Sequence, residues 1–353
     1  MDPNLAAPAG PADLSWIDAL ELGLEGRGFT DTAAPFDRLP ADARGRVTEA
    51  MWALQQHSAG MCFRFRTAAP EIGVEWSLVS PEIASTHMAA TGVSGVDLYA
   101  YPDGRPRFVG VGRPSQQAAN VARLPGSQDG RPWGFQLNLP LYNGVTSVRL
   151  GVPAGYRLER VLEPVRRPPI CFYGTSIVQG GCASRPGMAY PAIVRREMGI
   201  EGINLGFSGN ARSEPEIAEI LFRLEARAWV LDALPNMQAE TIVERLGHLV
   251  RTLRRAHPKT PIVLVEHVRP SRLPLPWDRP WSEEWSRCNG FLEALLESLG
   301  REGVPGLHVV PWKDLMGDDN EATVDGIHPT DLGFSRMAAV IGPVVRGAIG
   351  GSS

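Results

Sequence analysis

The sequence of 353 residues lacks the patterns that mark several large protein classes. Its net charge is -4 and no basic stripe occurs, so we expect no nucleic-acid partner. The amino terminus lacks the basic and apolar regions of a signal peptide, and no apolar run is long enough to span a bilayer. We therefore expect a cytoplasmic protein without a membrane partner. The few cysteines have no CxxC spacing, which argues against zinc modules and disulfide scaffolds: Cys62, Cys171, Cys182 and Cys288.

Two common catalytic signatures are also missing. Glu266 and His267 lack the HExxH spacing of zinc hydrolases, so we interpret them as a satisfied pair at the end of a strand. Ser176 stands in GTSI rather than in a GxSxG elbow, which argues against the α/β-hydrolase fold. These absences argue against both a zinc hydrolase of the HExxH type and an α/β-hydrolase.

The first half of the chain, residues 1–165, is rich in predicted strands. Short apolar or alternating runs such as GMCFRFRT, IGVEWSLV, GVDLYAYP and WGFQLNLP are separated by Gly, Pro, Asn and Asp turns. This spacing is typical of a β-sandwich, for example a jelly roll. One amphipathic segment, residues 43–58, predicts a helix before the first of these strands.

The second half, residues 166–353, alternates strands with helices. PICFYG, GINLGF, AWVLDAL, PIVLVEHV and LHVVPW are nearly continuously apolar, as strands buried on both faces must be. Helical segments lie between them, and Ser213 with Glu216 suggests a capping box at the start of the second. The pattern predicts a three-layer α/β/α domain around a parallel sheet, with function at the carboxyl ends of the strands.

Polar residues follow four of these strands at the edge where function is expected. Ser176 comes after the first strand, Gly209 after the second and Asn236 after the third, while Asp325 and His328 follow the fifth by way of a loop. Singly, a helix cap, a turn glycine or a loop residue is the simpler interpretation of each. Together, at one edge of one sheet, they indicate a nucleophile, its base and the group that orients the base.

The combination resembles the SGNH hydrolases, also called the GDSL esterase family, in blocks GTSI, NLGFSGN, LPNM and DGIHPTD. The resemblance implies that His328 deprotonates Ser176 for attack on an ester carbonyl, while Asp325 orients the imidazole. It also implies an oxyanion hole made by the backbone N–H groups of Ser176 and Gly209 and the side-chain amide of Asn236. This scheme needs no metal and no cofactor.

The resemblance covers roughly residues 168–348 and extends to the front half. RGFTDTAAPFDRLPADAR, TGVSGVDLYAY and LPLYNGVTSVRLGVP resemble the β-rich amino-terminal domain, named for its GxDLY motif, of one SGNH branch. That branch also favours the motifs YGTSI, QGG and LPNM. Many other relatives in the wider family carry Asp at the position of Thr175 and the motif GxND in place of LPNM. Characterised SGNH relatives with β-sandwich partners deacylate carbohydrates, an analogy that suggests a carbohydrate ester as substrate.

Four further residues are candidates for substrate contact: Thr175, Trp277, Trp281 and Asp97. Thr175 adjoins the nucleophile, and the tryptophans of PLPWDRPWSEEW suit either a sugar face or an acyl chain. Packing or an oligomer contact is an equal alternative for the tryptophans, and a role at the domain interface is favoured for Asp97. Pro280 predicts that one helix cannot carry all the tryptophans of this segment, and the next helix is expected to start at Ser282.

The sequence therefore predicts a two-domain serine ester hydrolase that removes acetyl or another small acyl group from a sugar or glycoside. An acyltransferase or a thioesterase with the same Ser-His-Asp site is an open alternative, because water exclusion and acceptor binding decide between them. A non-catalytic carbohydrate-binding protein is disfavoured, since a decayed site would have lost at least one of the five positions. The short junction YRLERVLEPVRRPP, without a Gly/Ser tract, predicts that the two domains pack against each other.

Overall fold

Two antiparallel sheets form the front domain, residues 14–160. The computed structural model describes residues 13–161, 167–271 and 279–350. The first front sheet has the strand order β1-β9-β4-β7, and the second has the order β10-β3-β8-β5-β6 with β2 paired to β3. The strands are β1 Leu14–Asp18, β2 Leu24–Glu25, β3 Cys62–Thr67, β4 Glu71–Leu78, β5 Val96–Tyr101, β6 Arg107–Gly112, β7 Asn120–Pro125, β8 Trp133–Asn138, β9 Val145–Pro153 and β10 Glu159–Arg160.

A single apolar core lies between the two front sheets. Strand β4 buries Ile72, Val74 and Trp76 on its inner face, as the alternation of its sequence predicts. Phe65 and Phe135, paired across the second sheet, stack with ring centroids 5.6 Å apart. The predicted two-sheet domain is therefore present, but β1 and β7 at the edges of the first sheet were not predicted.

The rest of the chain forms a parallel five-stranded sheet in the order β12-β11-β13-β14-β15. Alternate residues of each central strand face opposite cores: Cys171 and Tyr173 contact one, while Ile170 and Phe172 contact the other. Burial on both faces explains the continuous apolar runs in the sequence. The strands are β11 Ile170–Gly174, β12 Gly202–Gly206, β13 Ala228–Asp232, β14 Ile262–Val265 and β15 Leu307–Val310.

Helices cover both faces of this parallel sheet, which confirms the predicted three-layer α/β/α domain. α4 and α8 pack on one face, and α5, α6 and α7 pack on the other. The α-helices are α1 Glu49–Leu54, α2 Ala90–Val93, α3 Ser176–Gln179, α4 Tyr190–Met198, α5 Pro215–Leu221, α6 Gly247–Ala256, α7 Arg279–Arg301 and α8 Asp331–Gly350.

Local helix chemistry differs from the sequence prediction at two helix starts. The Ser213 capping box is wrong, because Ser213 adopts a positive φ of 52° and Glu214 is the N-cap of α5. Helix α7 begins at Arg279 rather than Ser282, since proline is tolerated in the first turn of a helix.

The segment before α6 is irregular. One π-helical turn, Ile242–Leu246, interrupts what the sequence predicts as a continuous helix. Turns of this kind appear mostly as single-turn insertions in α-helices, frequently at functional sites.

Helix α8 is long and apolar enough to cross a membrane by length and composition alone. This differs from the expectation that no apolar run is long enough to span a bilayer. However, Phe334, Met337, Ile341 and Val345 on this helix are buried in the core beside the parallel sheet. Burial of one face accounts for the apolar composition, as in the core helix of many proteins.

The front domain packs closely against the parallel-sheet domain. The buried guanidinium of Arg38 donates hydrogen bonds to the backbone oxygens of Asn204 and Gly206, at 3.3 and 2.6 Å. Gly60 meets β12 so closely that a Cβ atom there would lie 2.4 Å from the Cβ of Asn204. These contacts agree with the expectation of docked domains. The predicted boundary between residues 165 and 166 itself lies outside the described residues.

Candidate active site

The turn from β11 into α3 places Ser176 at the carboxyl edge of the parallel sheet. Thr175 is the N-cap of α3, and its side-chain oxygen accepts a hydrogen bond of 3.2 Å from the N–H of Ile177. Gly180 ends the short helix with a φ of 110°, a conformation that favours glycine. Thr175 is fully buried. The prediction that it contacts substrate is therefore wrong, because its side chain is used to cap the helix that carries the nucleophile.

Ser176, His328 and Asp325 form a continuous hydrogen-bonded line. The Oγ of Ser176 lies 3.0 Å from Nε2 of His328, and Nδ1 of His328 lies 2.7 Å from Oδ2 of Asp325. The second carboxylate oxygen of Asp325 accepts the N–H groups of Ile327 and His328, at 3.0 and 2.8 Å. Burial tends to raise the pKa of Asp325, but these hydrogen bonds outweigh it and lower the pKa below its usual value. An ionised Asp325 fixes the tautomer that leaves Nε2 free to accept a proton.

Three hydrogen-bond donors beside Ser176 have no acceptor within the described ranges. They are the backbone N–H groups of Ser176 and Gly209 and the side-chain amide nitrogen of Asn236. The oxygen of the Asn236 side chain accepts from the N–H of Ala211 at 3.4 Å, which orients the amide. Gly209 adopts a φ of 70°, which suits glycine in a turn that exposes its N–H. Unengaged donors of this kind can hold the charge of a tetrahedral oxyanion.

A cleft of about 890 Å³ opens over these residues. Its walls combine polar and apolar atoms, with apolar atoms in the majority, and two arginines, Arg212 and Arg245, contribute to them. The π-helical turn carries Arg245, which makes no hydrogen bond or ion pair with any described residue. Glu284, also on the wall, is paired with Arg287 at 2.6 Å. The cleft is lined by Ser176, Ile177, Ser208, Gly209, Arg212, Pro235, Asn236, Met237, Gln238, Thr241, Arg245, His267, Val268, Pro270, Glu284, Ile327 and His328.

Side chains and backbone groups of the front domain hold the segment that carries Ser176 in place. Tyr142 donates its hydroxyl to the backbone oxygen of Ser176 at 3.2 Å. Gln179 of α3 donates to Nδ1 of His57 at 2.9 Å and to the backbone oxygen of Leu141 at 3.0 Å. The oxygen of Gln179 accepts the N–H of Ser208, next to Gly209, at 3.1 Å. The side chain of Gln179 thus connects the front domain both to α3, which carries Ser176, and to the turn that carries Gly209.

Burial makes His57 a neutral acceptor in this network. It lowers the pKa of His57 to about 3, and the nearby charge of Arg38 adds to the effect. Neither His57 nor Gln179 is predicted from the sequence to contribute to the site. The QGG motif and the PLYNGV segment were the available signals for Gln179 and Tyr142, and no local pattern marks His57.

Asp97 of the GVDLY motif lies at the domain interface and not in the cleft. It is fully buried and accepts hydrogen bonds from Arg185 at 2.7 Å, from the N–H of Gly187 at 2.9 Å and from Asn138 at 2.8 Å. Arg185 also lies over the ring of Phe108, 3.9 Å from its centroid. The prediction of substrate contact by Asp97 is wrong, and the alternative role at the interface is what the structure contains.

The sequence predicts that Trp277 and Trp281 contact substrate. Trp277 lies outside the described residues, and so does the side chain of Trp281. Trp285 of the same segment packs against Trp312 with ring centroids 4.7 Å apart.

Glu266 and His267 are satisfied at the end of β14. Glu266 accepts the N–H of Trp312 at 2.9 Å, and Nδ1 of His267 lies 2.7 Å from the backbone oxygen of Val268. This agrees with the interpretation of the two residues as a satisfied pair.

Comparison with known proteins identifies the family. Residues 167–346 match the GDSL-like lipase/acylhydrolase family, and residues 14–158 match the domain described as the N-terminus of SGNH-hydrolase-type esterases. The chain belongs to the GDSL-like lipase/acylhydrolase family. Membership implies ester hydrolysis, and it agrees with the resemblance noted in the sequence of both halves.

Solved structures share the two-domain architecture of this GDSL-like chain. A putative GDSL-like lipase from Bacteroides ovatus ATCC 8483 is 32% identical with a TM-score of 0.88, and the match covers 96% of this chain and 98% of that one. The salicylyl-acyltransferase SsfX3 from a tetracycline biosynthetic pathway is 19% identical with a TM-score of 0.75, over 95% and 98% of the two chains. A family two carbohydrate esterase from Cellvibrio japonicus is 13% identical with a TM-score of 0.61, over 96% and 98%. No curated protein matches the chain.

Proposed function

We propose that this protein is a serine ester hydrolase that removes acetyl or another small acyl group from a carbohydrate or glycoside. The observation that carries the proposal is the line from Ser176 through His328 to Asp325, beside three unengaged donors. The base lies at the serine oxygen, the orienting carboxylate holds the base, and the unengaged donors lie beside the serine. This arrangement serves acyl transfer through a covalent intermediate.

In the proposed reaction, Nε2 of His328 takes the proton of Ser176 as Oγ attacks the ester carbonyl. The carbonyl oxygen gains negative charge, which the N–H groups of Ser176 and Gly209 and the amide of Asn236 stabilise. His328 then gives the proton to the departing alcohol, and an acyl-serine remains. Water repeats the sequence, so the products are the alcohol, the acid and the free serine.

Polar side chains on the walls of the cleft support a polar substrate. Arg212, Gln238 and Arg245 offer hydrogen-bond donors to the hydroxyl groups of such a substrate. A volume of about 890 Å³ greatly exceeds an acetyl group, so most of the cleft is available to the alcohol part of the ester. The carbohydrate esterase that shares the fold adds a weak analogy for a sugar as this alcohol.

The proposed substrate can be tested with p-nitrophenyl esters of increasing acyl length, acetylated sugars and a thioester, each assayed with wild type and Ser176→Ala. We expect wild type to favour acetyl esters and acetylated sugars, and Ser176→Ala to be inactive. Equal rates from both proteins would overturn the enzyme assignment. A preference for long acyl chains or thioesters would overturn the carbohydrate ester.

Acyl transfer uses the same acyl-serine, and the acyltransferase SsfX3 shares the fold. Product analysis in the presence of an added alcohol separates the two outcomes. We expect free acid as the main product. A transfer product that dominates at low alcohol concentration would make the protein an acyltransferase.

A further inference from the structure

A second group of chemically reactive side chains lies beside the catalytic histidine. One ligand atom each from His87, Cys182 and His328 lies within 4.8 Å of the other two. His87 comes from the front domain, and its ring centroid is 5.7 Å from that of His328. Cys182 follows α3 and adopts a φ of 72°, which is uncommon for a residue with a side chain. The ester hydrolysis derived above uses neither His87 nor Cys182.

The donor set of two imidazoles and one sulfur is suited to zinc. Zn²⁺ commonly binds Cys and His, and a site with three protein ligands keeps the fourth position open. Zinc–ligand bonds are about 2.0–2.3 Å long, so the three atoms have to approach each other by about 1 Å. The exposed side chain of His87 has the freedom to make that movement.

The hydrogen bonds of His328 determine which of its atoms can bind the metal. Nδ1 is held by Asp325 at 2.7 Å, so Nε2 is the nitrogen left for an ion. A carboxylate that holds the other nitrogen of a histidine ligand is the usual arrangement around protein-bound zinc. The same contact that prepares His328 as a base therefore prepares it as a zinc ligand.

We propose that His87, Cys182 and Nε2 of His328 form an inhibitory zinc site that blocks ester hydrolysis. The inhibition rests on the proposed function, because Nε2 is the atom that has to accept the proton of Ser176. On binding, each neutral imidazole donates a lone pair and the thiol of Cys182 releases its proton to the buffer. No group is oxidised or reduced, and a chelator reverses the step.

Inhibition can be tested by titrating chelator-treated protein with Zn²⁺ during the ester assay. We expect wild type to lose its activity and a chelator to restore it. Cys182→Ser and His87→Gln should keep the basal activity and need at least about 10-fold more zinc for half inhibition, since each lacks one ligand. His248→Gln, which removes an exposed histidine of α6, is the matched control and should behave as wild type. Equal zinc sensitivity in all four proteins would overturn the site.

Binding can also be measured without catalysis. Ser176→Ala keeps the three ligands, so calorimetry should detect one zinc ion per chain. Cobalt in place of zinc should give a thiolate-to-metal charge-transfer band that is lost when Cys182→Ser is added. Absence of both signals would overturn the site. Binding by Ser176→Ala together with a wild type that hydrolyses no ester would support the zinc site and overturn the proposed function.

Discussion

The two domains contribute to the active site in different ways. The parallel-sheet domain supplies the proposed catalytic groups, Ser176, His328 and the oxyanion donor Asn236, from the carboxyl edge of its sheet. The front domain supplies supporting contacts: Tyr142 binds the backbone of the nucleophile, and His57 binds the helix that carries it. The groups proposed to react therefore lie at one edge of the parallel sheet, while their positions depend on contacts with the front domain.

The largest expected effect is on the acid–base pair. His328→Ala should nearly abolish turnover, because Nε2 of His328 is the base that lies within hydrogen-bond distance of the Oγ of Ser176. Asp325→Asn should keep the fold but lower kcat by about 10⁴-fold, as an amide favours the wrong tautomer of the imidazole. Steady-state kinetics checks both, with His248→Ala as a control that should leave kcat unchanged. A wild-type kcat in either catalytic variant would refute the assignment.

The pH dependence of kcat/KM belongs to the same prediction. Measured from about pH 8 to 5, kcat/KM should fall toward acid pH, because a protonated imidazole cannot accept the serine proton. Since the pKa of Asp325 is lowered, its carboxylate should stay ionised over this range and add no second acid limb. A flat profile would contradict the role of His328.

The next effect concerns the oxyanion donors. Asn236→Ala should lower kcat by about 10²–10³-fold, or about 3–4 kcal/mol, with KM little changed, because charge develops only in the transition state. His248→Ala, at an exposed position of α6 outside the cleft, is the control and should leave kcat unchanged. A rise in KM alone would make Asn236 a substrate-binding residue.

A smaller effect should come from the domain interface. Asp97→Asn removes the charge that Arg185 and the N–H of Gly187 contact, and we expect a loss of about 1–3 kcal/mol in the free energy of unfolding. Asp103→Asn removes an exposed aspartate of the same domain that pairs with Arg107, and it should change nothing measurable. Denaturant unfolding compares the two. Equal stability would mean that the front domain does not need Asp97 to dock.

A pH-dependent effect on stability concerns Asp232 at the end of β13. Burial raises the pKa of this carboxyl to about 7, and its Oδ1 has no hydrogen-bond partner. Between about pH 4 and 7 the native state therefore binds more protons than the unfolded state, and Asp232 lowers the free energy of unfolding as pH rises. The slope is at most about 1.4 kcal/mol per pH unit.

The difference between wild type and Asp232→Asn isolates this contribution. The lowered pKa of His57 acts in the opposite direction, raising stability as pH increases from about 3 toward its ordinary range, so the total curve of wild type is not diagnostic. Relative to wild type, Asp232→Asn should become more stable as pH rises from 4 to 7. A difference that stays constant with pH would contradict the raised pKa.

Local sequence patterns predicted the strands whose two faces are both buried. All five parallel strands have long apolar runs, and the sequence located each of them along with the polar residues that follow. Edge strands β1 and β7 mix polar and apolar residues, so periodicity gave no signal for them. Thr175 and Asp97 were misassigned because proximity to a motif does not reveal whether a side chain is buried.

The sequence predicts the groups proposed to react, since parallel strands bring the ends of their apolar runs to one edge of the sheet. The front-domain side chains that support them follow only from the packing of the two domains. His57 and Gln179 are 122 residues apart, and no pattern along the chain records a contact at such a distance. The meeting of His87, Cys182 and His328 likewise arises only when the two domains pack together.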